Sequence, residues 1–105
     1  MSDQIGHEAL AVAVVSAFQI SGLKLVFNSA DHRPPHFHAR KEGKWEIRVF
    51  FLLCTERNLC FSVKWPPNAK GPTKQERKTL LSETLDHRAE LLSEWESKVQ
   101  VPEEL

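Results

Sequence analysis

The segment that determines the fold is Asp31-His32-Arg33-Pro34-Pro35-His36-Phe37-His38-Ala39. Each proline fixes its φ angle at about −65°, and the residue before a proline is pushed out of the helical region. The stretch is therefore predicted to run as a turn, a stiff extended arm and the start of a strand. Since alternate side chains of a strand share a face, we expect His36 and His38 to point one way and Phe37 the other way, into a core.

Two apolar segments precede this stretch. The run from Leu23 to Phe27 alternates well enough to predict a strand, with Leu23, Leu25 and Phe27 on the buried face. The apolar run at residues 9–18 suits either a helix or a strand, and periodicity alone does not decide between them. The valines in this run favour a strand near residues 12–20.

The segment after residue 39 predicts an antiparallel meander. Glu42-Gly43-Lys44 has the composition of a tight hairpin turn with a positive φ at Gly43. From Trp45 to Leu53 the residues alternate at first and then become continuously apolar, which predicts a strand that is fully buried towards its end. After a turn at residues 55–58, one face of a last strand is formed by Leu59, Phe61, Val63 and Trp65, and alternation predicts that this is the buried face.

The C-terminal third predicts a helix. Thr73 followed by Glu76 has the spacing of a capping box, and nothing breaks a helix from there to about Val99. Arg88 projects near the centre of the apolar stripe, so a break within residues 82–86 is an alternative to one straight helix. The fold class predicted from these elements is α+β, with a curved antiparallel sheet of four to five strands packed against a C-terminal helix.

Length and composition predict one domain over residues 1–105, with loose termini at residues 1–8 and 100–105. The small size makes a homodimer plausible. The formal net charge of zero argues against nonspecific nucleic-acid binding as the main role. Because the longest apolar run is too short to span a bilayer and has no basic segment before it, we expect no membrane association, no export and a cytoplasmic location.

The histidines suggest two kinds of chemistry. A His-x-His pair on a strand can give two imidazoles to one zinc-like divalent ion, because positions i and i+2 share a face. In this interpretation His36 and His38 are joined by His32, or by His87, Asp31 or Glu90. The alternative is metal-free catalysis in which the two histidines on one face, His36 and His38, serve as acid and base and Arg33, Arg40 and Lys41 hold a phosphate, as in a small ribonuclease. RNA binding without chemistry, or histidines that only shape a turn, are also open.

Two segments of the chain resemble a known family. The run from Phe27 to Ala39 and the run His87-Arg88-Ala89-Glu90-Leu91-Leu92-Ser93-Glu94-Trp95 are similar to the signatures of a group of small bacterial proteins known as domain of unknown function four-one-six-zero. The resemblance extends from about Ile20 to Lys98. The chain departs from the pattern in its longer N-terminal lead and in the Pro-rich loop before the helix.

The resemblance implies a role but no defined reaction. Genes of this group often stand beside another short gene, an arrangement similar to toxin–antitoxin pairs. The resemblance therefore implies that the protein is a component of a toxin–antitoxin-like or stress module. Such a component would act through a protein partner encoded nearby, and on RNA through a cluster of His32, His36, His38 and His87. A ribonuclease-like activity of these histidines, a metal-binding domain with a structural or hydrolytic ion, and a non-catalytic interaction module are the functions that the sequence leaves open.

Overall fold

A computed structural model describes residues 12–67 and 70–99 of the chain. The predicted loose termini, residues 1–8 and 100–105, lie outside the described residues. Five strands and two helices follow one another along the chain: β1 (Val12–Val14), β2 (Lys24–Asn28), β3 (Phe37–Lys41), β4 (Trp45–Val49), β5 (Phe61–Trp65), α1 (Lys74–Asp86) and α2 (Arg88–Lys98). The strands form one antiparallel sheet in the order β1-β2-β3-β4-β5. The predicted α+β class, with an antiparallel sheet packed against the C-terminal helical segment, is confirmed.

The core lies between one face of the sheet and the two helices. Alternate residues of the central strands point into it, and the helices contribute Leu80, Leu91 and Trp95. As predicted, Phe37 lies in this core and is fully buried. The sheet residues of the same face that are also buried are Leu25, Phe27, Ala39, Trp45, Ile47 and Val49. The other face of the sheet is free of helices among the described residues, and it carries His36 and His38.

The first strand is shorter than expected. A strand near residues 12–20 was predicted, but only Val12–Val14 pairs with β2. Further along, the side chain of Gln19 replaces a neighbouring strand, since its amide donates hydrogen bonds to the carbonyl oxygens of Val15 and Leu25 at 2.8 and 3.1 Å. Its own amide oxygen accepts from the Leu25 backbone N–H at 3.4 Å.

The prediction that β4 continues as a buried strand to Leu53 was wrong. The strand ends at Val49, and the Leu53 N–H closes a turn by donating to the Phe50 carbonyl oxygen at 2.9 Å. The turn takes the next residues out of the sheet, so Leu53 is 56% exposed whereas Phe51 is fully buried. The continuous apolar run therefore contains a turn with exposed leucines here and not a longer strand.

Trp65 was predicted on the buried face, but it is half exposed. The register between β4 and β5 pairs Ile47 with Val63 and Glu46 with Trp65, so β5 contains one extra residue at this point. Such a bulge shifts the alternation of side chains beyond it. It turns Trp65 away from the core and places Lys64 beside Glu46, with Lys64 Nζ and Glu46 Oε2 3.3 Å apart.

The C-terminal helix is interrupted at His87, one residue beyond the break considered from the sequence. The start of α1 has the predicted capping box: the Thr73 hydroxyl accepts from the Glu76 N–H at 3.1 Å, and the Glu76 carboxylate accepts from the Thr73 N–H at 2.8 Å. At the break, Arg88 reaches inward and donates to the Cys54 carbonyl oxygen at 2.8 Å. Neither helix in the described part of the chain has the length and apolar character to cross a membrane.

Glu76 also ties α1 to the sheet, because its Oε2 atom lies 2.6 Å from Lys41 Nζ. Partial burial raises the pKa of the Glu76 carboxyl group, but the ion pair with Lys41 and the hydrogen bonds at Thr73 outweigh this effect and hold the pKa below its ordinary value. The pair therefore stabilises the fold only while Glu76 is ionised.

We predict that Glu76→Gln lowers the free energy of unfolding at pH 7 by up to about 1 kcal/mol, because the amide keeps the cap but loses the ion pair. Since the pKa of Glu76 is lower in the folded state, its contribution is fully present above the unfolded pKa of about 4.3 and is lost as the pH falls through the folded pKa. Urea denaturation from neutral to acidic pH should show the two proteins converging. The exposed Glu96→Gln variant is the control, and a difference that persists at low pH would contradict the prediction.

Candidate functional site

A turn before the prolines places an aspartate beside β3. The Asp31 N–H donates to the Asn28 carbonyl oxygen at 3.2 Å, and the Asp31 carboxylate accepts from the Asn28 N–H at 3.3 Å. These two bonds close the turn and fix the direction of the carboxylate. The proline arm then brings the chain back to β3, so that His36 and His38 face Asp31.

Three donor atoms converge at this point. Asp31 Oδ2 lies 2.9 Å from His38 Nε2 and 3.4 Å from His36 Nε2, and all three atoms lie within 4.8 Å of one another. Both imidazole rings are buried, with only 2% of the His38 side chain exposed. The ring centroids of the two histidines are 5.1 Å apart. We call Asp31, His36 and His38 the donor cluster.

The other ring nitrogen of each histidine is turned away from the donor cluster. His36 Nδ1 donates to the Pro34 carbonyl oxygen at 2.8 Å, and a carbonyl can only accept. His38 Nδ1 lies 3.2 Å from Glu46 Oε2, but neither atom has an aligned hydrogen-bond partner among the described residues, so this is a close contact and not a directed hydrogen bond. Glu46 is itself held by Arg40 Nε, 3.1 Å from its Oε1 atom.

Both carboxylates are held in their charged form. Burial raises the pKa of Asp31, but hydrogen bonding and positive charge from the His36 and His38 rings act in the opposite direction and hold that pKa well below its ordinary value. Burial likewise raises the pKa of Glu46, and the neighbouring Lys64 and Arg40 more than compensate, so this pKa is also lowered. The histidines are thus flanked by two carboxylates that are held in their charged form.

The hydrogen-bond partners around His38 Nε2 do not complement one another. The side-chain amide nitrogen of Asn28 lies 3.1 Å from this atom and can only donate, so this contact needs the lone pair of an unprotonated His38 Nε2. Asp31 Oδ2, 2.9 Å from the same nitrogen, also offers lone pairs because the carboxylate is ionised. The contact with Asp31 needs a proton on Nε2 instead, so no single tautomer of His38 satisfies both partners.

The donor cluster opens into a cleft with a volume of about 360 Å³. His32, Arg33 and Pro34 form one side of this cleft, and Arg48, Phe50 and Lys64 come from the neighbouring strands. The Phe50 ring packs beside His36, with centroids 5.3 Å apart. The cleft therefore combines buried nitrogen and oxygen donors at its base with basic side chains at its rim.

The family assignment follows from comparison with known protein families. A model described as domain of unknown function (DUF4160) matches residues 22–96, which include the whole donor cluster and both helices up to Glu96. This chain belongs to the DUF4160 family. No match to the chain was found among curated proteins or among solved structures.

In this DUF4160 protein only part of the predicted histidine group comes together. His36 and His38 are joined by Asp31 and not by His32, which is exposed at the cleft and contributes no atom to the donor cluster. His87 lies on the helix-covered side, where its ring stacks on Phe18 with centroids 5.2 Å apart. Because the side chains of His36 and His38 point to the opposite face, His87 is separated from them by the sheet.

The three basic residues that were predicted to bind phosphate do not come together at one place either. Arg33 lines the cleft, with its guanidinium 5.3 Å from the centroid of the Trp95 ring. Arg40 lies on the same face but is paired with Glu46, and Lys41 points to the helix side, where it is paired with Glu76. Alternation along β3 separates these two neighbours, since Arg40 shares a face with His38 and Lys41 does not.

Three site residues were not identified from the sequence of this DUF4160 protein: Glu46, Arg48 and Lys64. A signal existed for Arg48, because the tight turn at Gly43 sets the register that pairs His38 with Arg48 across β3 and β4. Glu46 alternates with the buried residues of β4, so its side chain lies on the same face of the sheet as that of Arg48. Lys64 reaches the site because of the bulge in β5, which no local pattern of residues indicates.

We predict that Asp31→Ala lowers the free energy of unfolding by roughly 1–3 kcal/mol, since it leaves the buried His36 and His38 rings without their shared partner. Urea denaturation at pH 7 in the presence of a chelator measures the effect without any contribution from metal ions. His32→Ala is the matched control, because His32 is the exposed neighbour and its removal should change stability by less than about 0.5 kcal/mol. Equal losses in the two variants would contradict the prediction.

Proposed function

We propose that this DUF4160 protein is a metal-binding domain in which Asp31, His36 and His38 hold one zinc-like divalent ion. The observation that carries the proposal is the convergence of three donor atoms within 4.8 Å at the base of an open cleft. Two imidazoles and one carboxylate are a common ligand set for catalytic zinc and for other first-row metals. His32, the third ligand expected from the sequence, is replaced by Asp31 in this proposal.

The distances support such a site. Ligand atoms about 2.0–2.1 Å from a tetrahedral ion are about 3.3 Å apart. The separation of 3.4 Å between His36 Nε2 and Asp31 Oδ2 matches this value, and the 2.9 Å between His38 Nε2 and Asp31 Oδ2 needs only a small widening.

The surroundings of the histidines support the proposal as well. A metal-bound histidine usually donates its other ring N–H to a carbonyl or a carboxylate, which fixes the tautomer and orients the ring. His36 does so to Pro34, and His38 Nδ1 faces Glu46. The Nε2 atoms of both rings are then the ones left to bind the ion.

Three protein ligands leave a fourth position open towards the cleft, and this favours a hydrolytic over a purely structural ion. A bound divalent ion would lower the pKa of a water molecule at that position and polarise a substrate oxygen. The donor cluster would bind and orient the ion. Phe50 and the proline arm, which line the cleft, would limit the access of bulk water.

We predict that the protein, purified without a histidine tag, binds one equivalent of Zn²⁺, and that binding raises the free energy of unfolding by about 2.7 kcal/mol at a free-ion concentration one hundred times the dissociation constant. Isothermal titration calorimetry and elemental analysis measure the stoichiometry. His36→Ala and His38→Ala should each abolish high-affinity binding. His87→Ala is the matched control and should bind like the unmodified protein; no zinc binding by the unmodified protein would refute the proposal.

A second candidate is a component of a bacterial toxin–antitoxin-like or stress module that acts in the cytoplasm through a protein partner. The observation that favours it is a groove of about 550 Å³ remote from the donor cluster. Its apolar floor is lined by Leu59, Phe61 and Leu81, and its rim by Arg57, Lys74, Arg77 and Lys78, with Glu56 as the acidic residue. Such a groove suits an acidic amphipathic segment of a partner.

Expression of the chain alone in a bacterial host tests the toxin role. We predict slower growth, with growth restored by the His36→Ala/His38→Ala double variant because the donor cluster is required for the effect. His87→Ala should remain growth-inhibiting and serves as the control for the loss of a histidine. Growth that the unmodified protein does not affect would exclude a toxin and leave the antitoxin or non-catalytic interaction role.

A further inference from the structure

We infer that the cleft binds a phosphate group of its ligand through Arg48 and Lys64, directly beside the proposed metal position. The inference rests on the proposed function, because it places the phosphate next to the ion held by Asp31, His36 and His38. It names the class of ligand, a phosphate ester, for which the donor cluster alone gives no indication. The shared chemistry covers a mononucleotide and an RNA chain alike.

The basic side chains reach the cleft from three separate parts of the fold. Arg48 lies on β4 directly opposite His38, Lys64 follows on β5, and Arg33 comes from the proline arm. Cations from three elements around one small cleft form a concave positive rim, and a guanidinium can bind two phosphate oxygens at once.

Arg48 has one weak hydrogen-bond partner among the described residues. Its Nη1 atom donates to the Ser62 hydroxyl at 3.4 Å, which is a long hydrogen bond, and it has no carboxylate within ion-pair distance in residues 12–67 and 70–99. By contrast, Arg40 on the same face is bound to Glu46. Lys64 shares Glu46 with Arg40 and His38, so its own charge is only partly compensated. The positive charge at the rim is therefore available to a ligand.

The metal and the phosphate should bind cooperatively. In the absence of an ion, the Asp31 carboxylate lies at the base of the cleft and repels an approaching anion. A divalent ion on the donor cluster reverses the sign of the charge at this point, so the phosphate is attracted both from the base and from the rim. By linkage, the phosphate must strengthen ion binding by the same factor.

Phe50 offers a contact surface for a ring attached to the phosphate of such a ligand. Its half-buried ring forms part of the cleft wall beside His36. A flat apolar surface next to a phosphate site can stack with a base, which is how many proteins bind single-stranded nucleic acid. The cleft thus offers a charged subsite for the phosphate and an apolar subsite for an attached ring.

The test measures binding of adenosine monophosphate and of a short single-stranded oligoribonucleotide by calorimetry, with and without one equivalent of Zn²⁺. We predict that Zn²⁺ tightens binding about fivefold or more, which is the range of ordinary allosteric coupling. Arg48→Gln/Lys64→Gln should weaken both ligands about tenfold or more and keep the zinc stoichiometry of the unmodified protein. The control Lys24→Gln/Lys44→Gln makes the same change in net charge at exposed positions outside the cleft.

The outcomes separate this inference from the proposed function. Zinc binding with equal phosphate affinity in the cleft variant and in the control overturns the phosphate site and leaves the metal site intact. A protein that binds no Zn²⁺ overturns the proposed function, and loss of phosphate affinity in the cleft variant alone would then still support the anion subsite. Tighter binding of the oligoribonucleotide than of the mononucleotide identifies RNA as the source of the phosphate, whereas equal binding identifies a small phosphate ester.

Discussion

The alternation of side chains along β3 is the constraint on which both the core and the site depend. β3 is the central strand of the sheet and pairs with β2 on one side and β4 on the other. Phe37 points into the core, where its ring lies edge-on to Phe18 and parallel to Phe51. The neighbouring His36 and His38 must then point to the other face. A slip of one residue would bury two imidazoles among apolar side chains, so the same packing that stabilises the sheet fixes the site.

The turn and the proline arm supply what a strand alone does not. Two histidines on one face of a strand give two donors, and a third has to come from another part of the chain. The turn at Asn28–Asp31 brings that donor from the end of β2, and the stiff arm sets the distance over which the chain returns. Arg33 ties the arm to α2 through the Trp95 ring, so the position of Asp31 is supported from the helix side as well.

Much of this fold could be predicted from local patterns, and the site only in part. The strands β2 and β3, the turn at Gly43 and the capping box at Thr73 follow from the period of two and from residue preferences within a few positions. The break at His87, the bulge near Lys64 and the turn after Val49 depend on how distant segments pack. Asp31, and not His32, is the third donor because of the direction in which each side chain points within the turn. The periodicity of the sequence carries no information on that direction.

The two faces of the sheet have opposite energetic roles. The helix-covered face is apolar and close-packed, and it supplies the burial that stabilises a chain of this size. The other face buries two imidazoles between Asp31 and Glu46, and buried charges stabilise a fold only when every partner is well placed. Here the alignment between His38 and Glu46 is incomplete. A ligand that brings positive charge to the donor cluster would strengthen the interactions of His38 with Asp31 and with Glu46.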